Sequence, residues 1–211
     1  MQIVKSPFLL LVEGKDDHIM LSSLLSHLGK NKEAFQIVPY GGKDNFKAVW
    51  KNISNQAEFE DVKGLVVFRD ADESCDSALQ SICDQLKRDE LVPRDAVPVE
   101  AGVVNKQNPA ISVGVYIMPD CSSIGALEAL LLKSLSDDMQ SAASGFVSGA
   151  HNHIPEAQLA KYKSSDKSKS YAYSALFENA NFHDTFKKNL WDWDHPIFDQ
   201  LKNFLDEFEI E

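Results

Sequence analysis

Five carboxylates stand where short apolar runs end. Glu13 follows Phe8–Val12. Asp70 and Asp72 follow Leu65–Phe68. Asp17 lies four residues after Glu13, one turn into the next helical stretch, and Glu128 lies near the start of the helical stretch after Val113–Met118. Like charges held close raise one another's pKa and destabilise a fold, so a convergence of carboxylates calls for a counter-charge. An oxygen-only ligand set suits Mg²⁺, Mn²⁺ or Ca²⁺. A pair of such ions can activate a water and stabilise the leaving oxygen of a phosphodiester. The first expectation is therefore a divalent-metal pocket, with Mg²⁺ or Mn²⁺ held by Glu13, Asp17, Asp70, Asp72 and Glu128.

Such a pocket needs elements that bring those positions to one edge. Over residues 1–135, apolar runs alternate with amphipathic stretches. Strands are expected at Phe8–Val12, Phe35–Tyr40, Leu65–Phe68 and Val113–Met118. Helical spacing covers Ile19, Leu21, Leu24, Leu25 and Leu28 before Gly29, then Asn45–Ile53, Ser74–Lys87 and Gly125–Leu135. Leu91–Pro109 reads as turns and short extended pieces. Strands alternating with helices imply an α/β fold, here a four-stranded parallel sheet with helices on both faces. Near-continuous apolar strands fit burial on both sides, and ligands of open parallel sheets bind beyond the carboxyl ends of the strands.

Residues 136–211 show no strand pattern and read as a helical extension packed on the first unit. Ser141–His151 is small and Gly-containing, and reads as a loop or mobile link. Pro155 opens a helix, Tyr171–Phe177 is helical, Trp191–Pro196 is a turn-rich aromatic cluster, and Pro196–Phe208 is an amphipathic end helix.

Plainer readings stand beside these. Glu13 and Asp17 are what a helix start favours, and Asp70 and Asp72 could cap the helix that follows. Glu128 could be a surface residue. Lys161, Lys163, Lys167 and Lys169 could be one solvated basic face, and together they are the best local phosphate contact. His151 and His153 lack companions for a ligand set, Trp191 and Trp193 suit packing, and Cys75 sits among acids that disfavour a thiolate.

The runs Val12-Glu13-Gly14-Lys15-Asp16-Asp17 and Phe68-Arg69-Asp70-Ala71-Asp72 resemble the two motifs of the Toprim domain. Tyr40-Gly41-Gly42-Lys43 resembles its Gly-rich turn after the second strand. Glu13 and Asp17, then Asp70 and Asp72, then Gly125-Ala-Leu-Glu128 resemble the overcoming-lysogenization-defect (OLD) type nucleases and small stand-alone Toprim-like proteins. That resemblance implies the Toprim (Rossmann-like) fold and a DNA nuclease, in a defence or repair setting, with Glu13 acting on the attacking water. It also implies a catalytic Lys in the helical part, Lys169 first and Lys167 second. Lys43 and Lys167 are the expected phosphate contacts. The OLD nucleases carry a fused ATPase, and this chain has no Gly-x-x-x-x-Gly-Lys-Ser/Thr loop, so a separate ABC-type ATPase partner is implied. The ribosomal-RNA maturation nuclease of the same superfamily matches Glu13-Gly-Lys-Asp-Asp17, which keeps an RNA substrate open. A regulatory effector working only on its ATPase, and a phosphoacceptor signalling domain, are further alternatives.

Composition narrows the field. With 32 Asp+Glu against 21 Lys+Arg the net charge is −11, which disfavours a non-specific duplex binder acting alone. Three Cys make neither a disulfide framework nor a spaced zinc site. The apolar run Phe8–Val12 is too short for a secretory or membrane segment. A cytoplasmic protein that avoids membranes, with DNA more than RNA as partner and self-association possible in principle, is the resulting expectation.

Overall fold

The computed structural model describes residues 3–88, 92–159, 165–178 and 181–208. Lys161 and Lys163 of the basic run lie outside the described residues.

Three strands are sealed on both faces, and their sequences say why. All five residues of β1 (Phe8–Val12) are buried, as are Gly64–Phe68 in β3 (Gly64–Asp70) and Val113–Met118 in β5 (Ser112–Met118). Successive side chains alternate between two cores. Leu10, Val12, Val66, Phe68, Tyr116 and Met118 enter one. Leu9, Leu11, Leu65, Val67, Val113, Val115 and Ile117 enter the other. The first core is closed by α1 (Lys15–His27) and α4 (Leu127–Lys133); the second by α2 (Phe46–Ser54) and α3 (Cys75–Arg88). The expected α/β architecture with helices on both faces is present.

With β2 (Phe35–Pro39) and β4 (Val104–Asn105), the order is β2-β1-β3-β5-β4. The first four strands are parallel and β4 is antiparallel. The sheet therefore has five strands, not the four expected. Two rungs carry the fifth, Val104 opposite Gly114 and Asn105 opposite Val113, and so short a segment leaves no period-2 pattern to read.

The helical remainder comprises α5 (Asp137–His151), α6 (Glu156–Leu159), α7 (Ser165–Ser174), α8 (Phe182–Lys187) and α9 (Asp199–Asp206). The stretch Ser141–His151, expected as a loop or link, belongs to α5. Its start explains the difference: the Ser136 side chain accepts from the Met139 amide, and Asp137 and Asp138 favour the helix N-terminus. Small residues then let it lie against α7. No helix was expected at 182–187, although Asn181 and Asp184 form a reciprocal capping box there.

The C-terminal part completes the first core. Phe182, Phe186, Trp191, Trp193, Phe198, Leu201, Phe204, Leu205 and Phe208 all join it. Two strand glycines make room: a Cβ on Gly114 would lie 2.7 Å from the Phe204 ring, and one on Gly64 would lie 2.7 Å from Phe208. Trp191 donates from Nε1 to Thr185 Oγ1 at 2.8 Å, so the aromatic cluster packs, as expected. Among the described residues no helix is long and apolar enough to cross a membrane.

Candidate functional site

The strand order reverses between β1 and β3, whose neighbours lie on opposite sides. This is the position at which open α/β sheets bind ligands. Glu13 leaves the end of β1. Asp70 is the last residue of β3, one strand over and still paired with Met118 of β5; the strand runs two residues further than its apolar stretch suggested. Between and beyond them opens a cleft of roughly 1160 Å³, lined by eight carboxylates and four cationic side chains.

Backbone geometry fixes the acids. The Asp70 amide points to Glu13 Oε2 at 3.4 Å. The Gly14 amide donates to Asp17 Oδ2 at 2.8 Å, so Asp17 does cap its helix while it faces the cleft. The amides of Gly41 and Gly42 donate to the Glu13 carbonyl at 2.9 and 3.0 Å, which ties the Gly-rich turn to the first motif. Asp72 has φ 49° and exchanges two 3.1 Å hydrogen bonds with Gly125, whose φ is 126°. That bridge joins the second motif to the chain entering α4. Asp70 and Asp72 do not cap α3; Ser74 Oγ accepts from the Ser77 amide instead.

Burial and mutual repulsion distinguish the inner acids. Asp17 is buried, and desolvation first, then the charges of Glu13 and Glu128, push its pKa up to about 7 against the Gly14 hydrogen bond. Desolvation likewise leads for Asp70, followed by Asp17, Glu13 and Glu128; a backbone hydrogen bond from Leu127 works the other way, and the pKa still rises to about 8. Asp70 Oδ1 is shut off from solvent and has no hydrogen-bond partner. A buried oxygen without a donor is rare in folded proteins and costs about 1–3 kcal/mol.

The expected ligands therefore divide. Glu13, Asp17, Asp70 and Glu128 act on one another. Asp72 stands at the exposed rim, paired with Lys43 Nζ at 3.0 Å. The inner four could hold a divalent cation: their donors are all oxygen, and one of them is an orphan. Among the described residues, no three carboxylate, imidazole or thiol groups stand close enough to form a finished metal cage.

The lysines divide as well. Lys167 reaches the cleft, with Nζ 3.4 Å from Glu128 Oε1 and 3.5 Å from Asp16 Oδ2. Burial works against its charge, but Glu128 and Asp16 outweigh that and raise its pKa. Lys169, the first choice for the catalytic Lys, is two residues away and pairs with Asp166 at 3.1 Å. It lines a separate small cavity with Lys133 and Gln140. On a helix, residues two apart do not share a face, so only one of the two can enter the cleft.

Sequence reasoning missed three participants. Asp16 accepts from His183 Nε2 at 2.6 Å and lies beside Lys167. The result is a chain of contacts, His183–Asp16–Lys167–Glu128, that ties α7 and α8 to α1 and α4. Asp16 carries no strand-end or capping signal of its own beside Asp17, and His183 sits in the unexpected helix. Arg69 lines the cleft next to Asp70; its place in the motif was visible, its side chain's exposure to the cleft was not.

No curated protein and no solved structure matches the chain. The model of the family described as "Protein of unknown function (DUF3226)" matches residues 7–209, and the chain belongs to that family.

Proposed function

We propose that the chain is a Toprim-type, metal-dependent nuclease that hydrolyses phosphodiesters, DNA before RNA. The observation that carries this reading is Asp70: a buried carboxylate with an orphaned oxygen, at the switch point of a parallel sheet, facing three further carboxylates. A fold tolerates such a group when a cation completes it. Glu13, Asp17, Asp70 and Glu128 would hold Mg²⁺ or Mn²⁺, with Asp72 at the mouth. When bound, the ion would lower the pKa of a water and offset charge on the phosphate.

The chain's own residues supply the rest. A Glu13 carboxylate oxygen accepts the proton of the attacking water. Lys167, rather than Lys169, places its ammonium over the inner acids and neutralises charge that grows on the phosphate. Lys43 offers a second cation at the rim. The reading follows the OLD-like resemblance of the motifs, with a separate ABC-type ATPase as the proposed partner. In favour of a partner is the cleft's own charge: its carboxylates outnumber its cations by two to one, so the site itself holds a polyanion weakly.

The test is a cleavage assay on supercoiled, linear and single-stranded DNA and on RNA, with Mg²⁺ or Mn²⁺, comparing wild type with Asp70→Asn. Metal-dependent cleavage lost in the variant supports the reading. Cleavage that persists undiminished in Asp70→Asn sinks it.

A further inference from the structure

The cleft holds a guanidinium that its acids do not use. Arg69 lines the same cavity as eight carboxylates, yet among the described residues its guanidinium makes no ion pair and no hydrogen bond. Strand alternation explains the separation. Asp70 leaves β3 on one side and Arg69 on the other, toward the face that holds Val67. There its neighbours are Tyr40 and Lys43, both of which feel its charge. Tyr40 cannot neutralise it: burial first, then Glu13, pushes the phenol's pKa far up, and its hydroxyl donates to the Phe68 carbonyl at 2.8 Å. Lys43 is a like charge, held only by its exposed pair with Asp72.

Two adjacent cations, one unpaired and one in a pair that solvent can exchange, form a seat for an anion. A guanidinium presents two parallel N–H groups that match two oxygens of one phosphate. Glu13, Asp17, Asp70 and Glu128 line the same cleft, so a phosphate seated on the cations shares it with the inner acids.

We infer that Arg69, with Lys43 beside it, forms the phosphate-binding wall of the cleft and receives a phosphodiester oxyanion of the substrate. The inference rests on the proposed function for the identity of the substrate, though not for the anion seat itself. Arg69 is thereby a binding residue, distinct from the carboxylates.

The experiment compares wild type, Arg69→Gln and Arg69→Lys as full chains in Mg²⁺. Two probes are used: inorganic phosphate by calorimetry, and a short fluorescent single-stranded oligonucleotide by anisotropy across a salt series. Arg69→Gln is expected to weaken both probes about tenfold and to lower the oligonucleotide's salt slope by about one. Arg69→Lys, which keeps the charge and loses the fork, falls between. Melting temperature and Mn²⁺ binding stay at wild-type values, because the guanidinium supports no other group. Wild-type binding of both probes by Arg69→Gln overturns the inference, as does a wild type that binds neither. If the wild type binds phosphate but not the oligonucleotide, and Arg69→Gln loses the phosphate, the seat stands and the nucleic-acid reading falls. Should Arg69→Gln not fold, Arg69→Lys decides: a several-fold loss supports the seat, and unchanged binding removes it.

Discussion

Asp70 ends β3 and Asp120 follows β5, both inner strands of the sheet, and the two are opposites. Asp120, after β5, accepts from the Ser122 and Ser123 hydroxyls at 2.9 Å each, from the Ser123 amide at 2.7 Å and from Lys133 Nζ at 2.8 Å. Burial tends to raise its pKa, but Lys133 and the serine donors win and hold it far below the usual carboxylate range. Asp70 has its Oδ1 orphaned and its pKa raised to about 8. The first carboxylate is satisfied by its own loop and has nothing to offer a ligand. The second is left incomplete by the fold, at the place where parallel sheets bind. Acid content alone does not separate them; the supply of donors does.

The sharpest way to break this contrast is Asp70→Asn. An amide cannot complete an anionic metal shell, so metal-dependent cleavage should fall by roughly a thousandfold or more, in the range seen when a principal charged group of an active site is removed. The same change removes a buried, repelled carboxyl. In EDTA near pH 8 the variant should be more stable than wild type by at least about 1 kcal/mol, a rise in Tm of roughly 2–4 °C. Lost activity with unchanged or lower metal-free stability would mean that Asp70 is not held against its preference.

The two lysines restate the comparison. Lys167 contacts the incomplete set through Glu128, while Lys169 serves Asp166. Lys167→Ala should lower cleavage by about 100–1000-fold, the range for a single transition-state contact. Lys169→Ala should stay within a few-fold of wild type. The reverse order in kcat would restore Lys169 to the site and require α7 to turn.

At Asp120 the expected loss is of stability, not chemistry. Asp120→Asn should destabilise by about 1–2 kcal/mol, since the loop's hydroxyl, amide and ammonium donors lose a charged acceptor, with a discount for the part of the side chain that stays wet. Its folded pKa is depressed, so its contribution is fully present above the unfolded value of 3.8 and is lost as pH falls below it. Wild type and variant should therefore converge in urea melts as the pH is taken from 6 toward about 2.

How much of this the chain announced follows from length scale. The strand-end acids Glu13, Asp17 and Asp70 and the two sealed cores were legible, because each rests on a run of apolar residues or a short local motif. The fifth strand and the split between Lys167 and Lys169 were not: each depends on a two-residue difference, at strand pairing or helix phase, below the resolution of periodicity. The Asp16–His183 contact was illegible for another reason. Its partners are 167 residues apart, and only the packing of α8 on α1 brings them together. Asp120 illustrates the remaining gap, since its serines are adjacent in sequence and yet nothing short of the folded loop shows that they donate to it.

The pH profile of stability is the most direct measure of whether the inner acids are strained as a pair. Asp17 and Asp70 have folded pKa values of about 7 and about 8, against 3.8 unfolded. Both are raised, so the folded chain binds more protons than the unfolded one between roughly pH 4 and 8. Their contribution to stability is complete below the unfolded value and is lost as pH rises through the folded values. In EDTA, Tm should therefore decline steadily from about pH 5 to 8, and Asp70→Asn should flatten that slope. On the proposed reading Mn²⁺ takes the ionised folded carboxylates and not the unfolded chain, so its stabilisation should grow over the same interval and oppose the decline. A Tm that is flat with pH in EDTA and indifferent to Mn²⁺ would place Asp70 beside Asp120, as a carboxylate whose surroundings already satisfy it.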